Sequence, residues 1–336
     1  MSCMLNTPHI AVIGAGLAGL SCATQLEQLG MRVSIFDKSR GTGGRMSTRR
    51  GDNWQADHGA QYFTARDPLF VQELARWQQA GVADLWQTTI AVLGDGSPHR
   101  NDGNTLRYVG VPRMSSPARW LANELSVSTS ARVTALIRHQ HRWRLRFDES
   151  MPERELIKNT DYDAVVLALP SAQAAELSRT HAPGLTAQCE ASAMRPCWAA
   201  MMHFSTPVAL PFDAAFVNAG PLRWIARDNS KPGRPGSETW VLHANTDWST
   251  QHLEDSADDV IRALTEAFAV LGGPVPDNAG AHRWRYAEPV AGAKADNFLW
   301  DANLKLGVCG DWLNAGRVEG AWLSGRALAR TLTSVE

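Results

Sequence analysis

His9-Ile10-Ala11-Val12-Ile13-Gly14-Ala15-Gly16-Leu17-Ala18-Gly19 opens with an apolar run, meets three glycines spaced GxGxxG, and continues into an apolar-periodic segment ending near Leu29. That order reads as strand, tight turn, helix. Gly14 allows the sharp turn, Gly16 lets backbone approach a pyrophosphate, and Gly19 lets helix and strand pack closely. The pyrophosphate would rest on the unpaired N–H groups of the helix N-terminus. Gly30 ends the helix and residues 31–36 read as a second strand. Asp37 closes it, eighteen residues past Gly19, where an acid binds ribose hydroxyls. A GxGxxG alone is weak evidence. With strand, helix, strand and terminal acid in register, it reads as a dinucleotide site.

Composition narrows the class. At 336 residues the chain is about twice a typical domain, so two domains are expected. Hydrophobic residues at 44% and charged residues at 20% fit an ordinary globular protein. A net charge of −1 gives no electrostatic case for nucleic acid or an anionic membrane. Thirteen tryptophans are many, serving as core, as flat walls for a planar ligand, or as both. Five scattered cysteines without CxxC spacing argue against a disulfide framework or zinc site and fit a reducing compartment. Residues 10–23 superficially resemble a signal-peptide core, but no Lys or Arg precedes them. No apolar run reaches the length of a spanning helix. The expected location is cytoplasmic.

After Asp37 comes Lys38-Ser39-Arg40-Gly41-Thr42-Gly43-Gly44-Arg45-Met46-Ser47-Thr48-Arg49-Arg50. Paired glycines permit close approach and guanidinium groups match phosphate charge, so a two-phosphate cofactor is a sufficient partner. Asp37, five residues, then Gly43-Gly44-Arg45 resembles the acid-x5-GGR pattern of flavoproteins of the amine oxidase type. The resemblance implies FAD rather than NAD as cofactor. Residues 57–66, Asp57-His58-Gly59-Ala60-Gln61-Tyr62-Phe63-Thr64-Ala65-Arg66, look like the segment that passes beneath the flavin ring in that family. By residue type alone His58 is a polar loop residue and Tyr62 a core aromatic; position beside GGR favours the site.

Further along, residues 68–80 read as a helix, 93–105 as a loop, 106–111 as a strand, and 116–125 as a helix with Ser116 as cap. Residues 131–138 and 142–147 read as a hairpin. His139 and His141 at its turn lack a third ligand nearby, so solvated turn residues are expected rather than a metal site. Residues 162–170 read as a buried parallel strand. Beyond 172 the texture changes. Strands are expected over 198–204, 222–227 and 239–244, with a turn-rich connection at 228–236. An amphipathic helix follows over 255–271, with Val260, Ile261, Leu264, Phe268 and Leu271 inward and Gly272 as its stop. His243 reads as a hydrogen-bonded strand histidine. Leu306-Gly307-Val308-Cys309-Gly310-Asp311 is a strand closing on Gly-Asp, and residues 316–325 open a last helix with a small-residue face. This resembles the C-terminal flavin motif of the same superfamily, where the acid binds the ribityl chain and the helix N-terminus faces the pyrimidine edge.

Residues 37–47, 59–66, 230–234, 309–312 and 316–322 together are similar to the bacterial renalases, in order along nearly the whole chain. The resemblance implies an α/β fold: a Rossmann-type FAD-binding domain of the p-hydroxybenzoate hydroxylase-like, amine-oxidase topology. Into it is inserted an α+β substrate domain on a largely antiparallel sheet. The expected segments are 1–66, 107–172 and 281–336 for the FAD domain, and 67–106 and 173–280 for the substrate domain. Implied FAD contacts are Gly14, Ala15, Gly16, Gly19, Asp37, Lys38, Arg45, Val133, Asp311 and Val318, with His58 and Gly59 beside the ring. Implied substrate contacts are Gln61, Tyr62, Arg107, Tyr108, Val109, Cys197, Trp198 and Arg317, with Tyr62, Trp198 and Trp284 as candidates to sandwich a nicotinamide. His58 departs from the family, which often has an apolar residue there.

The implied activity is oxidation of the 2- and 6-dihydro isomers of NAD(P) by FAD, with O2 reduced to H2O2. A dihydropyridine becomes aromatic on losing hydride, so positioning rather than a base is the main demand. The sequence shows no Ser/His/Asp constellation. Competing readings are a flavin amine oxidase or desaturase on the same scaffold, a non-catalytic flavin-binding regulator, and a nicotinamide-dependent dehydrogenase. The small-molecule substrate and O2 are the expected partners, with neither nucleic acid nor membrane.

Overall fold

The computed structural model describes residues 7–94, 105–148, 159–290 and 296–333. The expected loop at 93–105 lies mostly outside that range. The chain packs as two compact units, one formed by residues 1–44, 118–194 and 289–336 and the other by 45–117 and 195–288.

The first unit is built on the opening stretch. Strand β1 (His9–Ile13) is buried along all five residues, as a central parallel strand must be. Helix α1 (Leu17–Gln28) and strand β2 (Arg32–Phe36) complete the first βαβ unit. The six-stranded sheet runs, edge to edge, through Leu299–Asp301, Leu306–Val308, Ala164–Leu167, β1, β2 and Val127–Ser128. Every pairing in it is parallel except the one at the Leu299–Asp301 edge. One core joins Ala11, Ile13, Val165 and Leu167 of the sheet to Trp143 and Leu145 of the hairpin and to Leu177 and Leu185. The hairpin pairs Val133–His139 with Arg142–Phe147, and Gln140 turns it at φ 56°.

The second unit has its own six-stranded sheet, in the order Asn278–Pro289, Met194–Phe204, Glu238–Ala244, Leu222–Arg227, Ala214–Val217, Ile90–Leu93. Its inner pairings are antiparallel and the Ile90–Leu93 edge is parallel. The amphipathic helix Ala257–Val270 lays Val260, Leu264 and Phe268 into a core with Trp198, Met202 and Trp240. Ser256 caps it by accepting from the Asp259 amide, and Gly272 leaves it at φ +89°.

The compact units divide at other positions than the expected segments. Residues 45–66 pack with the second unit, because a buried charge network ties Asp57 to the 228–234 turn. Residues 107–117 go with them, as Tyr108–Gly110 pairs with Ala83–Leu85. Residues 173–194 instead belong to the first unit, where helices Ser171–Ser178 and Pro183–Ala191 place Ala174, Ala175, Leu177, Leu185 and Cys189 in its core. Residues 281–288 are part of the second unit's sheet. Among the described residues no helix is long and apolar enough to cross a membrane.

Candidate active site

In the first unit, β1 ends where Gly14 turns at φ +109°, and a Cβ there would run into the Ala168 carbonyl. A Cβ on Gly19 would strike the Gly14 carbonyl, so glycine is what lets α1 lie on the turn. Gly16 is different: it is the N-cap of α1 with no side-chain cap, and a Cβ on it would meet nothing within 4 Å. The first turn of α1 carries no acid. The helix N-terminus is thus uncapped, with open space at the Gly16 Cβ position, an arrangement that suits phosphate.

Asp37 is fixed beside this turn. Its Oδ2 accepts from the Ala15 amide at 2.7 Å and its Oδ1 from the Ser39 amide at 2.7 Å. Each oxygen retains a lone pair for a ribose hydroxyl. Lys38 is exposed next to it. The Gly43 amide donates to the Ala15 carbonyl at 2.9 Å, and a Cβ on Gly44 would press on Gly16 Cα at 3.3 Å, so the paired glycines lie against the turn. Ala131 donates to the Asp37 carbonyl at 2.8 Å, bringing the start of the Val133 strand to the same end of the sheet. At the C-terminal end of the chain, the Gly310 amide donates to Ser324 Oγ at 2.9 Å. Asp311 is 7% exposed, and its carbonyl accepts from the Asn314 and Gly316 amides. That knot launches the helix Val318–Thr333, whose Gly325 packs directly on the Ala18 carbonyl of α1. Val318 is half-buried at its start and Arg317 is exposed.

The second unit contains a buried set of four charges. Asp57, Asp228, Lys231 and Arg234 have side chains at most 1% exposed. Arg234 Nη2 donates to Asp57 Oδ2 at 2.6 Å and to the Gly110 carbonyl at 2.9 Å. Lys231 Nζ donates to Asp228 Oδ1 at 2.9 Å, Gln61 Oε1 at 3.3 Å and Asp57 Oδ2 at 3.4 Å. Asp57 Oδ1 takes the Thr48 hydroxyl at 2.5 Å and the Met114 amide at 3.1 Å. Burial raises the Asp57 pKa, but Lys231 and Arg234 outweigh it and hold the carboxyl at about 2. Asp228 is pushed up instead, by burial and then by Asp57, against the pull of Lys231. Two anions and two cations balance.

An aromatic group stands beside this network. Tyr62 lies 5.6 Å from the Trp224 ring and 6.4 Å from Trp86, and Phe216 packs edge-on to Trp224 at 4.8 Å. The Arg107 guanidinium sits 5.3 Å from the Tyr62 ring centre. Arg107 is 9% exposed; it donates from Nη1 to the Thr105 carbonyl, while its buried Nε has no hydrogen-bond partner. Among the described residues no carboxylate pairs with it. A second group gathers His58, His282 and Trp284. His58 stacks on Trp284 at 5.1 Å and meets His282 edge-on at 4.8 Å. The Trp284 indole donates to the His58 carbonyl at 2.9 Å, and His243 Nε2 bonds the same oxygen at 3.2 Å. Burial first, then neighbouring cationic groups, hold His58 and His282 at about 4 and His243 at about 3, so all three are neutral near pH 7.

The predicted residues thus fall into recognisable sets. Gly14, Ala15, Gly16, Gly19, Asp37, Lys38 and Val133 gather at one end of the first unit's sheet. Asp311, Val318 and Arg317 share a second segment of that unit. In the second unit Gln61, Tyr62 and Arg107 come together, and His58, Gly59, Arg45 and Trp284 form a neighbouring set in which the Arg45 carbonyl accepts from the Ala60 amide. Tyr108 instead stacks on Phe63, and Val109 is fully buried. Cys197 and Trp198 are core residues: the thiol donates to the Ala244 carbonyl at 3.6 Å and the Trp198 indole to the His252 carbonyl at 2.9 Å. Neither side chain joins the Tyr62 group. Sequence reasoning passed over Asp57, Trp86, Trp224, Asp228, Lys231 and Arg234. The Lys-Pro-Gly-Arg turn was the available signal, since two cations in a tight turn need partners when the turn is buried.

The fold and the glycine turn define a dinucleotide-binding α/β protein with an appended sheet-and-helix unit. Residues 12–76 match the NAD(P)-binding Rossmann-like domain, and residues 91–333 match the flavin-containing amine oxidoreductase model. The chain belongs to the flavin-containing amine oxidoreductase family, whose cofactor type is FAD. It is 30% identical over 118 residues to a possible lysine-specific histone demethylase 1 of Drosophila melanogaster, covering 34% of this chain and 13% of that one. It is 38% identical over 69 residues to an L-amino-acid oxidase of Siganus canaliculatus, covering 20% and 13%. The matched stretches thus span about an eighth of those relatives. Among solved structures, a putative protoporphyrinogen oxidase from Exiguobacterium sp. 255-15 superposes with TM-score 0.79 at 10% identity, covering 98% of this chain and all of that one. Cyclohexylamine oxidase from Brevibacterium oxydans superposes with TM-score 0.72 at 11% identity, covering 98% and 99%. FAD suits the first unit's residues: the uncapped α1 terminus and the open space at Gly16 take a pyrophosphate, and Asp37 takes a ribose.

Proposed function

We propose that this enzyme oxidises the 2- and 6-dihydro isomers of NAD(P), as the bacterial renalases do, releasing NAD(P)+ and H2O2. The observation that carries this reading is Arg107, a buried cation against Tyr62 with no carboxylate partner among the described residues. The four-charge network is internally balanced, so among the described residues Arg107 is the charge left beside Tyr62. Such a group attracts a phosphate-bearing, flat heterocycle and repels an ammonium.

Each side chain has a task in this account. In the first unit Gly14, Gly16 and Gly19 admit the FAD pyrophosphate and Asp37 holds its adenosine ribose, with Lys38 and Val133 at the same end of the sheet. Tyr62, with Trp86 and Trp224, flanks the dihydropyridine, while Arg107 binds its phosphate. The hydride leaves C2 or C6 of the dihydropyridine, which becomes aromatic NAD(P)+, and no proton leaves with it, so no base is required. Bound FAD would supply the two-electron chemistry, and the reduction of O2 to H2O2 takes up the hydride-derived proton and one from solvent.

Amine oxidation is the second reading, favoured by the superposition on cyclohexylamine oxidase. An oxygen electrode separates the two. Oxygen uptake with the 2- or 6-dihydro isomers but not with the 4-dihydro form supports the proposal. Uptake with amines alone replaces it.

A further inference from the structure

Lys231 is 2% exposed, and taking an ammonium into the interior is costly unless every proton is used. Asp57 takes one Lys231 contact at 3.4 Å, beside those from Arg234, Thr48 and the Met114 amide. The shortest Lys231 bond goes to Asp228 Oδ1 at 2.9 Å, and a further one reaches Gln61. Gln61 Oε1 accepts from Lys231 at 3.3 Å and from the Trp224 indole at 3.4 Å, while Nε2 donates to the carbonyls of Asp57 and Gly59. Flipping this amide would set its NH2 against an ammonium and an indole N–H. One orientation is therefore imposed. The same turn holds the second indole of the aromatic group: Trp86 Nε1 donates to Ser230 Oγ at 3.1 Å, and Lys231 Nζ lies 5.6 Å from the Trp86 ring centre.

We propose that Lys231 is a positioning residue for substrate specificity. Its ammonium fixes the Gln61 amide, through it the Trp224 indole, and with Ser230 it sets the tilt of the Trp86–Trp224 wall beside Tyr62. The inference rests on reading that wall as the substrate site. A purely structural role predicts a loss of stability, as when one partner of a buried ion pair is removed, with the Trp224 resonance and KM unmoved in the folded protein.

The test uses the FAD-loaded enzyme and two variants, Lys231→Met and the double Asp228→Asn/Lys231→Gln. The double variant removes one charge of each sign and carries the test if the single one does not fold. Indole 1H–15N resonances of Trp86 and Trp224 are assigned with Trp→Phe variants and followed together with KM and kcat for dihydro-NAD(P). The Trp224 resonance is expected to move, with KM rising about tenfold and kcat staying within about threefold. An unmoved Trp224 resonance overturns the proposal, as does a loss confined to kcat. If the unsubstituted enzyme oxidises no dihydro isomer, the functional reading fails, while the indole resonances still decide the role of Lys231.

Discussion

Arg234 and Asp57 meet at 2.6 Å with both side chains at most 1% exposed, though 177 residues separate them in sequence. This pair closes the segment following the GGR motif onto the 228–234 turn. Removing the guanidinium leaves the buried carboxylate with one cation, Lys231 at 3.4 Å, beside the Thr48 hydroxyl and the Met114 amide. Arg234→Met is expected to cost about 3–5 kcal/mol, read by urea unfolding of the apoprotein. A loss below about 1 kcal/mol would mean that water or local rearrangement satisfies Asp57 instead.

The acid limb follows from the same carboxylate. Its folded pKa of about 2 lies below the ordinary unfolded value near 3.9, so its stabilisation is complete above that value and fades as pH falls through about 2. The histidines act earlier. His58 and His282 at about 4 and His243 at about 3 lie below the ordinary value near 6.5. Between those values the unfolded chain binds more protons than the folded one, so stability falls as pH drops from about 6.5 towards 4. Melting temperature against pH should decline through that window, and His58→Phe should flatten the slope. A flat profile between pH 6.5 and 4.5 contradicts the assignment of neutral buried imidazoles.

Two glycines three positions apart predict opposite outcomes. Gly16→Ala adds a methyl to open space at the helix terminus, so apoprotein stability should hold within about 0.5 kcal/mol while FAD affinity falls tenfold or more. Gly19→Ala drives a methyl into the Gly14 carbonyl and should destabilise the apoprotein itself, by about 1–3 kcal/mol or more. Flavin titration and apoprotein melting separate them. Equal FAD binding in Gly16→Ala and the parent would remove the pyrophosphate from this turn.

Substrate recognition is tested at Arg107. Arg107→Met removes a charge-assisted contact of about 1.5–3 kcal/mol, so KM for dihydro-NAD(P) should rise roughly ten- to a hundredfold with FAD content unchanged. Tyr62→Ala should likewise raise KM far more than it affects FAD retention. Unchanged kinetics in either variant takes that residue out of the site.

Much of the first unit was legible because its constraints are local. The five buried residues of β1, the glycine turn and Asp37 lie within thirty residues, and a backbone turn next to phosphate tolerates few alternatives. The helix Ala257–Val270 was legible for the same reason, through its apolar period. The strand Asn278–Pro289 was not: its Arg, His, Trp and Tyr residues are mostly half-buried, so no alternation shows. Lys231 and Arg234 fall in a turn-rich connection that by itself assigns them no partner. Their burial depends on Asp57, more than 170 residues away, and no local pattern reports a partner at that distance. Trp198 shows the converse, an aromatic that resemblance brought to the substrate and packing places in the core.

The most direct measurement is anaerobic stopped-flow absorbance of the FAD-loaded enzyme mixed separately with 2-, 6- and 4-dihydro-NAD(P). The account predicts rapid bleaching of the oxidised-flavin band by the 2- or 6-dihydro forms and none by the 4-dihydro form. A flavin that stays oxidised with every isomer, yet bleaches with an amine, contradicts it.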